Sequence, residues 1–107
     1  MSAVTQIKGS ELAEILKMNE FVLVNFSAPW CGPCKSMAPT LEQVATENIS
    51  TMLVVKLDID EDFELASEYQ VRAVPTLLFF RAGQVVNRAI GGQSKGQLIK
   101  LITEYKG

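Results

Sequence analysis

The run Phe21-Val22-Leu23-Val24-Asn25-Phe26 constrains the fold of this 107-residue chain more than any other stretch. It is apolar at odd and even positions alike, whereas a strand with one wet face alternates. Such a run reads as a central strand covered by helices on both sides. Ala28-Pro29-Trp30 then turns the chain into Cys31-Gly32-Pro33-Cys34-Lys35, which holds both cysteines of the protein. A buried strand leading straight into Cys-x-x-Cys at a helix start sets two thiols on one helix face, within reach of each other.

A thiol pair so placed has three uses. A zinc site wants four ligands from Cys, His or carboxylate. With no histidine and no third cysteine, a structural zinc would need a second chain. A purely structural disulfide would close a very short loop, worth only roughly 2 kcal/mol in the chain-entropy model, and domains that depend on disulfides carry more of them across longer loops. A redox-active dithiol is the reading that fits the context.

The rest of the chain supports a self-sufficient domain. Hydrophobic residues make up 48% of it, enough for a core without metal or disulfide support. One domain over residues 1–107 is expected, with no metal. The net charge is −2, with acidic and basic residues interspersed; there is no basic patch interleaved with aromatics, so no nucleic-acid partner is expected. The start, Met1 to Ile7, lacks a charged opening followed by a long apolar stretch, and no apolar run approaches a membrane span. A cytoplasmic location without membrane contact is the expectation, and in that reducing setting a Cys pair is more often catalytic than structural.

Local patterns place the other elements. Val4 to Ile7 reads as a short strand, and Gly9-Ser10 opens a helix with Ser10 as N-cap and Leu12, Ile15 and Leu16 inward. The cysteine motif starts a helix from about Cys31 to Asn48, with Met37, Leu41, Val44 and Ala45 inward, Glu42, Gln43 and Glu47 toward water, and Pro39 expected to kink it. Met52 to Leu57 is a second buried strand, followed by a short helix with Leu65, Ala66 and Tyr69 inward. Val74-Pro75-Thr76 leads into Leu77-Leu78-Phe79-Phe80, which Arg81-Ala82-Gly83-Gln84 turns back into Val85 to Ile90 as a hairpin. Ser94-Lys95-Gly96-Gln97 is a capping box for a last helix. The order β-α-β-α-β then α-β-β-α predicts one mixed α/β sheet, five strands and four helices, with helices on both faces.

Trp30-Cys31-Gly32-Pro33-Cys34-Lys35, Lys56-Leu57-Asp58-Ile59-Asp60, Val74-Pro75-Thr76-Leu77, Arg81-Ala82-Gly83 and Gly91, in this order and spacing, resemble the thioredoxin family over nearly the full length. The resemblance implies a three-layer α/β/α thioredoxin fold and a protein-disulfide reductase. Cys31 would attack a target disulfide and Cys34 would resolve the mixed disulfide. Pro33 would hold the sulfurs in place, Gly32 completing the dipeptide between them. Trp30 would flank the nucleophile as part of the docking surface, and Pro75 would be a cis-proline facing the cysteines. The Val74 backbone would pair with an incoming peptide, and Gly91 and Gly92 would let that peptide approach. Lys35 and Asp60 read as solvated surface charges. No bound cofactor is implied. Electrons would come from NADPH through a thioredoxin reductase, or from ferredoxin through its own reductase, and a monomer is expected.

One position departs from the family. Thioredoxins typically carry a buried Asp in the strand before the active site, assigned as proton acceptor for the second cysteine; this chain has Asn25. Asn cannot accept a proton at physiological pH, and Lys56, the usual neighbour of that carboxylate, loses its ion partner. Two readings stay open: Asn25 is simply a hydrogen-bonded buried polar group, or resolution is slower here or passes its proton to water or a nearby group. Ser27, at a position often Trp, carries no functional reading. Two further functions compete: a binding module of the same fold without turnover, against which both cysteines argue, and an oxidase or isomerase, against which the Gly-Pro dipeptide argues.

Overall fold

The computed structural model describes residues 2–107. Nine elements follow in order: β1 (Val4–Gln6), α1 (Gly9–Met18), β2 (Phe21–Ser27), α2 (Gly32–Glu47), β3 (Leu53–Asp58), α3 (Phe63–Glu68), β4 (Thr76–Arg81), β5 (Gln84–Ile90) and α4 (Lys95–Lys106). The strands form one sheet in the order β1-β3-β2-β4-β5. Helical crossovers make β1, β3 and β2 mutually parallel, while β4 runs antiparallel to both β2 and β5. The β4–β5 turn has Ala82 and Gly83 both at positive φ, 50° and 81°. That is the backbone a two-residue hairpin matched to strand twist requires.

The centre of the sheet is the apolar run of β2, buried from Val22 through Ser27. Odd and even positions serve different layers. Leu23, Val54, Leu77 and Phe79 pack with Met37, Leu41 and Val44 of α2 and Leu98, Ile102 and Tyr105 of α4. Val22, Val24, Phe26, Val55, Leu57, Leu78 and Phe80 face α1 and α3 through Leu12 and Ala66. The three-layer, five-stranded, four-helix arrangement is the one the sequence predicts.

The register on the α2 face sets up the site. Parallel partners Leu23 and Val54 are followed by Asn25 and Lys56, then by Ser27 and Asp58. Residues two apart share a face, so this face is oily at its first rung and polar at the next two. The polar rungs lie at the C-terminal ends of β2 and β3, beneath the first turn of α2.

Two expectations need correction. Ser10 does not cap α1; Lys8 does, its N–H donating to the Glu11 carboxylate at 2.8 Å. Glycine at the first helical position lets this start lie against Asp62, whose Oδ1 would be 2.6 Å from a Cβ there. Glu42, expected to face water, folds over the start of β1 instead. Its carboxylate accepts the Ala3 N–H, the Val4 N–H at 3.1 Å and the Ser2 hydroxyl at 2.8 Å. The Ser94–Gln97 capping box forms as read, with both reciprocal bonds in place, and α2 runs through Pro39 without a break.

The Glu42 clamp carries a pH dependence. Its bonds, the one from Ala3 foremost, hold the carboxyl below its ordinary value. A depressed folded-state pKa means the stabilisation is present above the unfolded pKa and is lost as pH falls through the folded one. Hydrogen-exchange protection of the Val4 amide is therefore expected to drop once pH falls below the ordinary glutamate range. In Glu42→Gln, protection should be lower and no longer respond to pH in that range; equal acid sensitivity in both chains would contradict this.

Candidate active site

Cys31 is the N-cap of α2, in extended conformation, and its Sγ accepts the Cys34 N–H at 3.2 Å. Gly32 and Pro33 make the first helical positions, where a missing proline N–H costs nothing because no carbonyl precedes to receive it. One turn brings the cysteines to a Cα separation of 5.3 Å, and their sulfurs are joined as a disulfide. Both residues are 4% exposed, so accessibility does not separate an outer from a shielded sulfur in this oxidised form. Their surroundings do.

Cys31 faces the loop before β4. Its Sγ lies 3.6 Å from the Val74 carbonyl oxygen, and the Val74–Pro75 peptide bond is cis. Gly91, at φ 89°, donates its N–H to the Pro75 carbonyl at 2.8 Å. A Cβ on Gly91 would meet nothing within 4 Å, so its outer side is open to an approaching backbone. Trp30 is 65% exposed and its indole N–H donates to Asp60 Oδ2 at 2.9 Å. Asp60 is an exposed surface charge, as read, and it also brackets the tryptophan. Lys35 is exposed, as read.

Cys34 looks the other way, into a half-open cavity of about 430 Å³ between α2 and the ends of β1, β2 and β3. Asn25, Lys56, Ser27 and Asp58 line it from the sheet, Lys35 and Glu42 from α2. Asn25 is 3% exposed, and its Oδ1 has no hydrogen-bond partner among the described residues. The structure therefore gathers the residues read from the sequence into two groups: Trp30, Val74, Pro75 and Gly91 around Cys31, and Asn25 and Lys56 behind Cys34. Asp58 and Glu42 belong to the second group and were missed. Asp58 was visible only as part of a motif, two residues from Lys56 and so on the same strand face.

A disulfide at a helix N-cap, seated over a mixed sheet and beside a cis-proline loop, defines a thiol–disulfide oxidoreductase. The comparisons agree. The thioredoxin family model matches residues 3–104. A Mycobacterium tuberculosis thioredoxin is 41% identical over 104 residues, 96% of this chain and 90% of that protein. A bifunctional thioredoxin reductase/thioredoxin of Mycobacterium leprae is 43% identical over 95 residues, 89% of this chain but 21% of that longer protein. Among solved structures, a mutant thioredoxin from Halobacterium salinarum superposes with a TM-score of 0.90 at 38% identity, covering 97% of this chain and 91% of that one. The chain belongs to the thioredoxin family. No helix among the described residues is long and apolar enough to cross a membrane.

Proposed function

We propose that this chain is an electron carrier of the cytoplasm that reduces protein disulfides, with Cys31 as nucleophile and Cys34 as resolving thiol. The observation that carries the assignment is the N-cap position of Cys31. There the free N–H groups and the helix dipole favour a thiolate, which is the attacking species.

The Cys31 thiolate attacks one sulfur of a target disulfide; an S–S bond forms to Cys31 and the second target sulfur leaves as thiolate. Cys34, deprotonated, attacks Cys31 Sγ and expels the first target sulfur. Two electrons pass to the target and the chain is left as the disulfide. A target segment would lie across Trp30, Pro75 and Gly91, its backbone pairing with that of Val74 as a short added strand. The dithiol is restored by NADPH through a thioredoxin reductase, or by ferredoxin through its reductase. The chain works as a monomer with disulfide-bearing proteins as partners, away from nucleic acid and membrane.

The test is turnover of a protein disulfide with NADPH and a thioredoxin reductase, followed as NADPH consumption. Consumption that scales with the amount of this chain is the expected result. A chain whose dithiol opens and closes chemically yet supports no turnover would point to a binding role.

A further inference from the structure

The cavity behind Cys34 holds chemistry that disulfide exchange uses only at one moment. Before it can attack, the Cys34 thiol must lose its proton, and Cys34 is only 4% exposed in the disulfide form. Asn25, on the rung beneath it, can hydrogen-bond but cannot take a proton. Yet Asn25 is nine-tenths buried with an unpartnered carbonyl oxygen, and it lines the same cavity as Cys34. A buried acceptor that meets no protein donor is a place for water. The cavity, at about 430 Å³, has room for several waters at roughly 30 Å³ each.

The charged groups that face this space are Lys35 and Glu42 from α2 and Lys56 and Asp58 from β3. Glu42 is committed to the backbone of Ala3 and Val4. Asp58 is committed through one oxygen only, Oδ1 accepting the Asp60 N–H at 2.8 Å. It stands two residues beyond Lys56 on the same face of β3, paired in register with Ser27, as Lys56 is with Asn25.

We propose that Asp58 is the proton acceptor for Cys34, reached through water held by Asn25 Oδ1. The S–H bond breaks and its proton passes to that water. The water gives a proton to Asp58, which becomes neutral and later returns the proton to solvent. Cys34 becomes a thiolate, and the Lys56 ammonium lining the same space favours the negative charge. Asp58 acts through water and Asn25 positions that water, so both are positioning residues. The carboxylate that serves this site sits one rung further along the strand pair than a carboxylate at position 25 would. This inference rests on the reading of Cys34 as the resolving thiol.

The experiment mixes the chemically reduced chain with a small aromatic disulfide whose thiol product absorbs visible light. Attack by Cys31 gives a first burst of product and attack by Cys34 a second, without any reductase. With an internal base, the second phase is expected to show a plateau in rate from mildly acidic to neutral pH. Without one, it climbs about tenfold per pH unit, following hydroxide. Asp58→Asn keeps the acceptor for the Asp60 N–H and removes only the base. It is expected to abolish the plateau and slow the second phase about a hundredfold at acidic pH. Asp58→Glu should retain the plateau, and adding Asn25→Asp to Asp58→Asn should restore one that begins at higher pH, because burial raises that carboxyl. A plateau that persists in Asp58→Asn, or a double variant that stays without one, overturns the proposal. A natural chain with no second phase overturns both this and the resolving role of Cys34. Failure to turn over with a reductase, alongside an Asp58-dependent second phase, would leave this inference standing and remove only the carrier reading.

Discussion

Cys31→Ser and Cys34→Ser should both abolish catalytic turnover, but only Cys34→Ser should accumulate covalent adducts with target proteins. The difference follows from the two environments of the sulfurs. Cys31 sits at the helix N-cap beside the Val74–Pro75 loop, where the target segment proposed above would dock. Losing it removes the attack. Cys34 opens onto the cavity lined by Asn25 and Asp58, away from that loop, and losing it removes only the exit from the mixed disulfide. Non-reducing gels of each variant, incubated with a disulfide-bearing protein, read the result directly. The adduct band should appear for Cys34→Ser, be absent for Cys31→Ser, and vanish on adding a reductant. An adduct of equal intensity in both variants would reverse or abolish the assignment of roles.

The second large effect concerns stability. Asn25→Asp places a carboxyl at a position 3% exposed, next in register to Lys56. Burial disfavours the charged form and raises the carboxyl pKa, while the ammonium partly offsets this. For an acid whose folded pKa lies above its unfolded value, the native state holds the proton longer. Stability then falls as pH rises between the two values and levels off above the folded one. Each unit of difference amounts to about 1.4 kcal/mol, so the variant should match the natural chain near pH 3 and be roughly 3 kcal/mol less stable at neutral pH. Denaturant midpoints at the two pH values test this; a midpoint at neutral pH above that of the natural chain would contradict it.

What could be read from the residues and what could not divide along a physical line. Features written into adjacent residues were legible. The central position of β2 follows from its unbroken apolar run, the β4–β5 hairpin from Ala82-Gly83, and the start of α4 from Ser94 and Gln97. The cap of α1 was misplaced because serine is only one way to satisfy a helix start. Glu11 reaching back to the Lys8 N–H does the same work, and the contact of Gly9 with Asp62 fixes where the turn must begin.

Features made by distant partners were not legible. The indole of Trp30 and the carboxylate of Asp60 meet across 30 residues of chain, and Glu42 meets Ser2 across 40. Nothing in either local sequence announces the other. Asn25 is an intermediate case: its presence among apolar neighbours was plain, whereas the cavity it looks into exists only once α2 is laid over β1, β2 and β3.

The disulfide within a single helical turn has one more consequence. Folding and oxidation form a thermodynamic square, so its two routes must sum to the same value. Any gap in unfolding free energy between the oxidised and dithiol forms is also a gap in reduction potential between the native chain and its unfolded counterpart. A substitution in the cavity that favours one form over the other by about 1.4 kcal/mol shifts the midpoint potential by roughly 30 mV. Melting the two forms side by side therefore gives the potential of the native chain relative to its unfolded counterpart without an electrode, and a substitution around Cys34 that moves one quantity moves the other.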